Sequence, residues 1–199
     1  MRILIVGTAG NVGKAAVAEL KPRHEVITAG RSSGDVRVDL LDAASISTMY
    51  EKLGMLDAVV ACAGHAYYGP LATMTEAQFM MGLKDKLMGQ VNLVLLGTRH
   101  VNDRGSFTLT SGVLDRDPIL KGANGATVNA GLKGFVTSAA IELERGIRIN
   151  VVSPGLLQES AKKYEGLFPG HEPVASARVG LAYAKSVEGA ITGQVIIIE

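Results

Sequence analysis

Short β-rich runs alternate with longer segments of helical period along the whole chain, and that alternation leaves few folds open. Arg2–Val6, Glu25–Ala29, Asp35–Asp39, Asp57–Ala61, Ser106–Thr110, Arg148–Val152 and Val195–Ile198 read as strands. Between them, Val12, Ala16 and Leu20 mark a helix over 11–20, ended by Pro22. Ser45 is expected to cap a helix reaching Leu53, and Thr75 with Gln78 forms a capping-box start. Leu83, Leu87, Val91, Val94 and Leu95 predict a long helix through Val101, and Val128 to Leu143 a second. One or two shorter helices fill 159–187. Near-continuous apolar strands separated by helices imply an α/β fold, a parallel sheet covered on both faces. At about 150 residues per domain, positions 1–199 make one domain. The longest irregular stretches, 112–123 and 154–173, are loops of a length that often serves function.

Apolar residues make up 47% of the chain and charged ones 20%, which excludes a disordered chain. A net charge of +1 gives no electrostatic footprint for nucleic acid. The longest apolar run, Ala58–Ala63, is far short of the roughly 20 residues a membrane span needs. The apolar run before Gly7 is only four residues, Ile3–Val6, too few for a signal peptide's core of roughly 7–15, so a cytoplasmic protein is expected. Cys62 is the only cysteine, and the histidines show no ligand spacing, so no metal site is expected.

Gly7-Thr8-Ala9-Gly10-Asn11-Val12-Gly13 joins the first strand to the first helix. Such a turn exposes backbone N–H groups, lets a diphosphate approach and packs the helix closely on the sheet. The helix N-terminus adds partial positive charge and unpaired donors. Glycines serving only a tight turn would give the same letters. The second strand ends in Ala29-Gly30-Arg31-Ser32-Ser33, with no acid to bind a ribose hydroxyl. Arg31 and Ser32 suit a 2′-phosphate, which favours NADP(H) over NAD(H). Asp39 and Leu40 are expected to border the adenine.

Taken in order, these pieces resemble the short-chain dehydrogenase/reductase family from Met1 to Glu199. Ala61-Cys62-Ala63-Gly64 is similar to its Asn-Asn-Ala-Gly, and Asn150-Val151-Val152-Ser153-Pro154-Gly155 to its Pro-Gly segment beside the nicotinamide. Ile191-Thr192-Gly193-Gln194-Val195 is similar to its final strand. The resemblance implies a three-layer, doubly wound Rossmann-type sheet of about seven strands. It also implies a cofactor lying along Ala61, Ala63, Gly64, Pro154, Gly155 and Leu157. Family members are usually dimers or tetramers, joined through helices that correspond here to 83–101 and 124–144.

Family catalysis uses Asn, Ser, Tyr and Lys. Ser111 matches the serine that hydrogen-bonds the substrate carbonyl. Lys133 matches the lysine that binds the nicotinamide ribose and lowers the tyrosine pKa. Four residues before it, where the tyrosine belongs, stands Asn129, and the catalytic Asn position holds Lys86. A carboxamide does not titrate in the working range and cannot replace an acid, whose loss costs about 10²–10⁴ in rate. Lys86, His65, Tyr67 and Tyr68 are the candidate replacements, against solvated lysine and aromatic packing as the plainer readings. Glu159 occupies a position where the family often has threonine, and is expected to face away from a diphosphate. Residues 156–173, with Tyr164, Leu167 and Phe168, suit a substrate lid or a packed helix. Three functions remain open at this point: a reductase or dehydrogenase for a small carbonyl or alcohol with an altered proton donor, an inactive NADP(H)-binding sensor, regulator or assembly protein, and a lyase, epimerase or isomerase on the same scaffold.

Overall fold

The computed structural model describes residues 1–199. Seven strands form one parallel sheet: β1 Arg2–Val6, β2 Glu25–Gly30, β3 Val36–Arg37, β4 Leu56–Ala61, β5 Val101–Thr110, β6 Arg148–Pro154 and β7 Val195–Ile198. Their order across the sheet is β3-β2-β1-β4-β5-β6-β7. The winding reverses between β1 and β4, the kind of crevice in which open α/β sheets bind ligands. Pairing is in register at the C-terminal edge: Val6 lies opposite Ala29 and Ala61, and Thr110 opposite Val152. The residues just beyond those positions therefore share one rim.

Period-2 alternation sends successive β1 side chains to opposite faces. Leu4 and Val6 join a core of 22 buried residues with α2 (Ala43–Leu53), α4 (Gly89–Gly97) and α5 (Ala123–Glu142). Ile3 and Ile5 belong to a second core of 16 buried residues under α1 (Asn11–Leu20) and α7 (Ser176–Glu188). The helices α3 (Glu76–Gly82) and α6 (Gln158–Ala161) lie outside these cores, near the rim.

Several boundaries differ from expectation. The α2 cap is Asp42, whose carboxylate accepts from the Ala44 amide; the Ser45 hydroxyl instead accepts from the Asp39 amide and fixes the turn after β3. The third strand is two residues, not Asp35–Asp39, because the Asp35 side chain bonds Thr28. Strand β5 starts at Val101, five residues early, across a register shift opposite β4. The capping box at Thr75 is present and starts α3. The long helix expected over 83–101 is composite: α3 passes into a π-helical segment, Leu83–Met88, then α4, then a 3₁₀ turn at Thr98–His100.

Candidate active site

The first turn has three glycines with three different reasons. Gly7 has φ +91°, and a Cβ there would lie 2.6 Å from the Ala63 nitrogen. A Cβ on Gly13 would lie 2.3 Å from the Gly7 carbonyl oxygen, so this glycine lets α1 press onto the strand. A Cβ on Gly10 would meet only the Gly7 oxygen, at 3.8 Å. Gly10 caps α1 without a side-chain bond, and the first turn of α1 holds no acid. The amides there are open to an anion from outside.

That turn forms one wall of a cavity of about 580 Å³. Gly7, Thr8, Gly10, Asn11 and Val12 line one side. Arg31 and Ser32 line the end beyond β2, with Ser33 beside them. Asp39 and Leu40 come from beyond β3, and Ala63 and Gly64 from beyond β4. The Asp39 carboxylate accepts from the Leu41 amide, so it is engaged by its own turn. Asn11 Nδ2 donates to Ser160 Oγ at 3.0 Å and ties the first turn to α6.

Six expected cofactor contacts do not line this cavity. Gly13 lies beneath the turn, and Ala61 is fully buried, its carbonyl accepting from the Thr110 hydroxyl. Pro154 ends β6 opposite Ile198, and the Gly155 amide donates to the Ile198 carbonyl. Leu157 is buried in the α1–α7 core and bridges to Val174. Lys133 is exposed on α5. Glu159 does the reverse of what its charge suggested: it borders the cavity, where Ser176 bonds its carboxylate and lowers its pKa. Tyr164, from the segment read as a lid or a packed helix, lines the cavity from a 3₁₀ turn after α6, beside Lys163, which the sequence reading missed.

At the rim beyond β5, three expected residues meet. Lys86 Nζ donates to the Ser111 carbonyl at 2.8 Å and to Asn129 Oδ1 at 2.7 Å. Asn129 Nδ2 donates to the Gly112 carbonyl at 3.1 Å. The π-helical segment presents Lys86 here, and Gly64, at φ +128°, gives its stem room: a Cβ on Gly64 would lie 2.7 Å from Lys86 Cα. Burial lowers the Lys86 pKa to about 8, and the Asp115 charge opposes that fall.

Asp115 was not anticipated, and no periodicity marks it. It lies in a 3₁₀ turn, Val113–Asp115, with a side chain 2% exposed. Ser111 Oγ donates to Asp115 Oδ2 at 2.8 Å, and Arg116 pairs with Asp115 Oδ1 at 2.9 Å. A hydroxyl has one proton to give. Ser111 gives it to Asp115, so in this arrangement it does not donate towards a substrate. The side chains nearer solvent are differently placed. His65 is 86% exposed and meets Asp85 at 3.2 Å; Tyr67 folds its ring against Gly69. No group of three His, Cys, Asp or Glu side chains is placed to hold a metal.

A family model described as enoyl-(acyl carrier protein) reductase matches residues 2–198. The chain belongs to the short-chain dehydrogenase/reductase family of oxidoreductases. It is 27% identical to the short-chain reductase protein NovJ of Streptomyces niveus over 163 residues, 79% of this chain and 60% of that protein. It is 31% identical to the uncharacterized oxidoreductase Mb1385 of Mycobacterium bovis, over 67% of this chain and 59% of that one. The chain thus spans about 60% of the length of the curated relatives it matches. Among solved structures, the protein lin1944 from Listeria innocua superposes with a TM-score of 0.99 at 48% identity, covering 100% of each chain. A small-chain dehydrogenase in complex with NADPH superposes with a TM-score of 0.87 at 25% identity, covering 99% of this chain and 95% of that one.

Proposed function

We propose that this family member is a cytoplasmic NADP(H)-dependent oxidoreductase for a small carbonyl or its alcohol, with Lys86 as the proton donor. The observation that carries this is the placement of Lys86. Its Nζ hangs between the Ser111 carbonyl and Asn129 Oδ1, which leaves one of three N–H bonds free. The residue of α5 that faces Ser111 is Asn129, not Lys133. The family's tyrosine–lysine pair, four residues apart, then falls one helical turn earlier than the sequence suggested, on Gly125 and Asn129. Neither can ionise, and Lys86 takes over the charge at the site.

The open α1 amides and Gly10 fit a diphosphate, and Arg31 with Ser32, in a turn after β2 that carries no acid, fits a 2′-phosphate. The NADPH complex of the similar dehydrogenase supports the same choice. A bound NADPH supplies hydride to the carbonyl carbon. Lys86 gives its proton to the carbonyl oxygen and is recharged from water. A lysine with a pKa near 8 is suited to this, because the best general acid has a pKa near the working pH.

The test follows NADPH absorbance over a panel of aldehydes and ketones, with the Lys86→Met variant beside the parent. Turnover by the parent, and a loss of about 10²–10⁴ in the variant, are expected. Absence of turnover with every carbonyl, despite cofactor binding, would return the chain to the class of binding proteins.

A further inference from the structure

Tyr68 stands on the same face of α5 as the Lys86 cluster, one turn nearer the helix start. Gly125 and Asn129 are four apart and stack on one helix face. A Cβ on Gly125 would lie 3.3 Å from the Tyr68 hydroxyl oxygen and 3.1 Å from Leu114 Cδ1. The phenol of Tyr68 therefore fills the space that a side chain on α5 would otherwise enter. Gly125 is buried inside a helix, where glycine costs about 1 kcal/mol relative to alanine. Contact with the phenol gives that cost a reason.

The loop that carries Tyr68 is docked from both sides. The Tyr67 amide donates to Asn124 Oδ1 at 2.8 Å, and the Gly69 amide donates to the Lys121 carbonyl at 3.1 Å. Asn124 is fully buried and donates onward to the Phe79 carbonyl at 2.6 Å. The backbone on either side of Tyr68 is thus pinned to the start of α5 and to α3. Tyr68 itself stays 46% exposed. Its neighbour Tyr67 is turned back on Gly69, and the Ser111 hydroxyl donates its hydrogen bond to Asp115. Tyr68 is the fixed hydroxyl beside the cluster with a proton still to offer.

We propose that Tyr68 hydrogen-bonds the reacting oxygen of the substrate while Lys86 supplies the proton. The inference rests on the proposed reaction and assigns a second catalytic residue to it. In the reducing direction the carbonyl π bond breaks, hydride from reduced nicotinamide forms the C–H bond, and the Lys86 proton forms the O–H bond. Tyr68 keeps its proton throughout and holds the developing oxyanion. A phenol that donates without ionising suits that task. Its partial burial is in keeping with that, since it pushes the Tyr68 pKa up, with Tyr164 adding to the rise.

The test is Tyr68→Phe in the full chain, which keeps the ring on Gly125 and removes only the hydroxyl. NADPH binding by calorimetry and the melting temperature are expected to match the parent. The value of kcat for carbonyl reduction is expected to fall by about 10²-fold, the loss typical of one oxyanion donor. The pH limb near 8, owed to Lys86, is expected to persist in this variant. Gly125→Ala is the second variant: its methyl group crowds the phenol oxygen and is expected to lower kcat without abolishing cofactor binding. Parent-like kcat in Tyr68→Phe would overturn the assignment of Tyr68 and leave the reaction standing. Failure of the parent to oxidise NADPH with any carbonyl would overturn both.

Discussion

Lys86 Nζ donates to Asn129 Oδ1 at 2.7 Å, and in the reaction proposed for this site the two side chains exchange the places that family chemistry gives to an amide and a lysine. The exchange moves the titrating group from α5 to the π-helical segment. It sets a definite pH dependence. Lys86 acts as an acid only when protonated, and its pKa lies at about 8 because burial disfavours the charge. Carbonyl reduction is therefore expected to be full below pH 8 and to fall above it. Alcohol oxidation, which needs neutral Lys86 as base, is expected to rise through the same pH. Profiles of kcat/KM in both directions check this, and limbs of the same sense in the two directions would contradict it.

Asp115 tunes that group from a distance. Its charge holds the Lys86 pKa above where burial alone would leave it. Asp115→Asn preserves an acceptor for the Ser111 hydroxyl and removes the charge. The reduction limb is expected to move to lower pH in this variant, with activity on the acid side largely kept. An unmoved limb would show that Lys86 is not the group being read.

Much of this architecture was legible because one physical cause dominated each piece. Gly7, Gly10 and Gly13 at a strand–helix joint fix a crevice. The Thr75–Gln78 capping box fixed a helix start from two residues. The alternation of Ile3 and Ile5 with Leu4 and Val6 fixed a strand with two faces. The turn of α5 that meets the site was not legible. Asn129 and Lys133 share a face, and only packing reveals that the first is buried and the second exposed. Strand β5 hid its start because the polar letters Asn102-Asp103-Arg104-Gly105 follow Val101, at a register shift against β4. The π-helical turn that aims Lys86 has no signature of its own, since its residues suit an α-helix equally well.

Gly13 and Gly10 of the first turn are expected to respond differently to alanine. In Gly13→Ala the new methyl meets backbone atoms of Gly7 and Thr8 at 2.3 and 2.8 Å, which cannot step aside. A loss of at least about 3 kcal/mol in urea unfolding is expected. In Gly10→Ala the methyl enters open space on the cavity side. Stability is expected to stay within about 0.5 kcal/mol of the parent while the dissociation constant for NADPH rises about tenfold. An unchanged dissociation constant in Gly10→Ala would deny Gly10 its place at the ligand.

Arg31 is expected to separate the two dinucleotides. It is exposed at the cavity end beyond β2, where no carboxylate competes for it except the already engaged Asp39. A charge-assisted bond to a 2′-phosphate contributes about 1.5–3 kcal/mol. Arg31→Ala is therefore expected to weaken NADPH by about tenfold or more and to leave NADH almost unchanged, as read by calorimetry. Equal weakening of both would place Arg31 on a part common to the two molecules.

Helix faces turned away from the site make the last prediction. Met81, Met88 and Leu95 recur every seven residues along the α3–α4 run and are 56%, 43% and 59% exposed; Ile141 on α5 is 87% exposed. Large apolar groups left exposed on these helices suit a contact surface. The family habit of joining subunits through these helices makes a second copy of this chain the expected partner. A symmetric dimer brings each residue against its own patch, so one charge counts twice. Met88→Glu with Leu95→Glu is expected to convert a dimer or tetramer into a smaller species in light scattering at unchanged helix content. An assembly of unaltered mass would remove these helices from the interface.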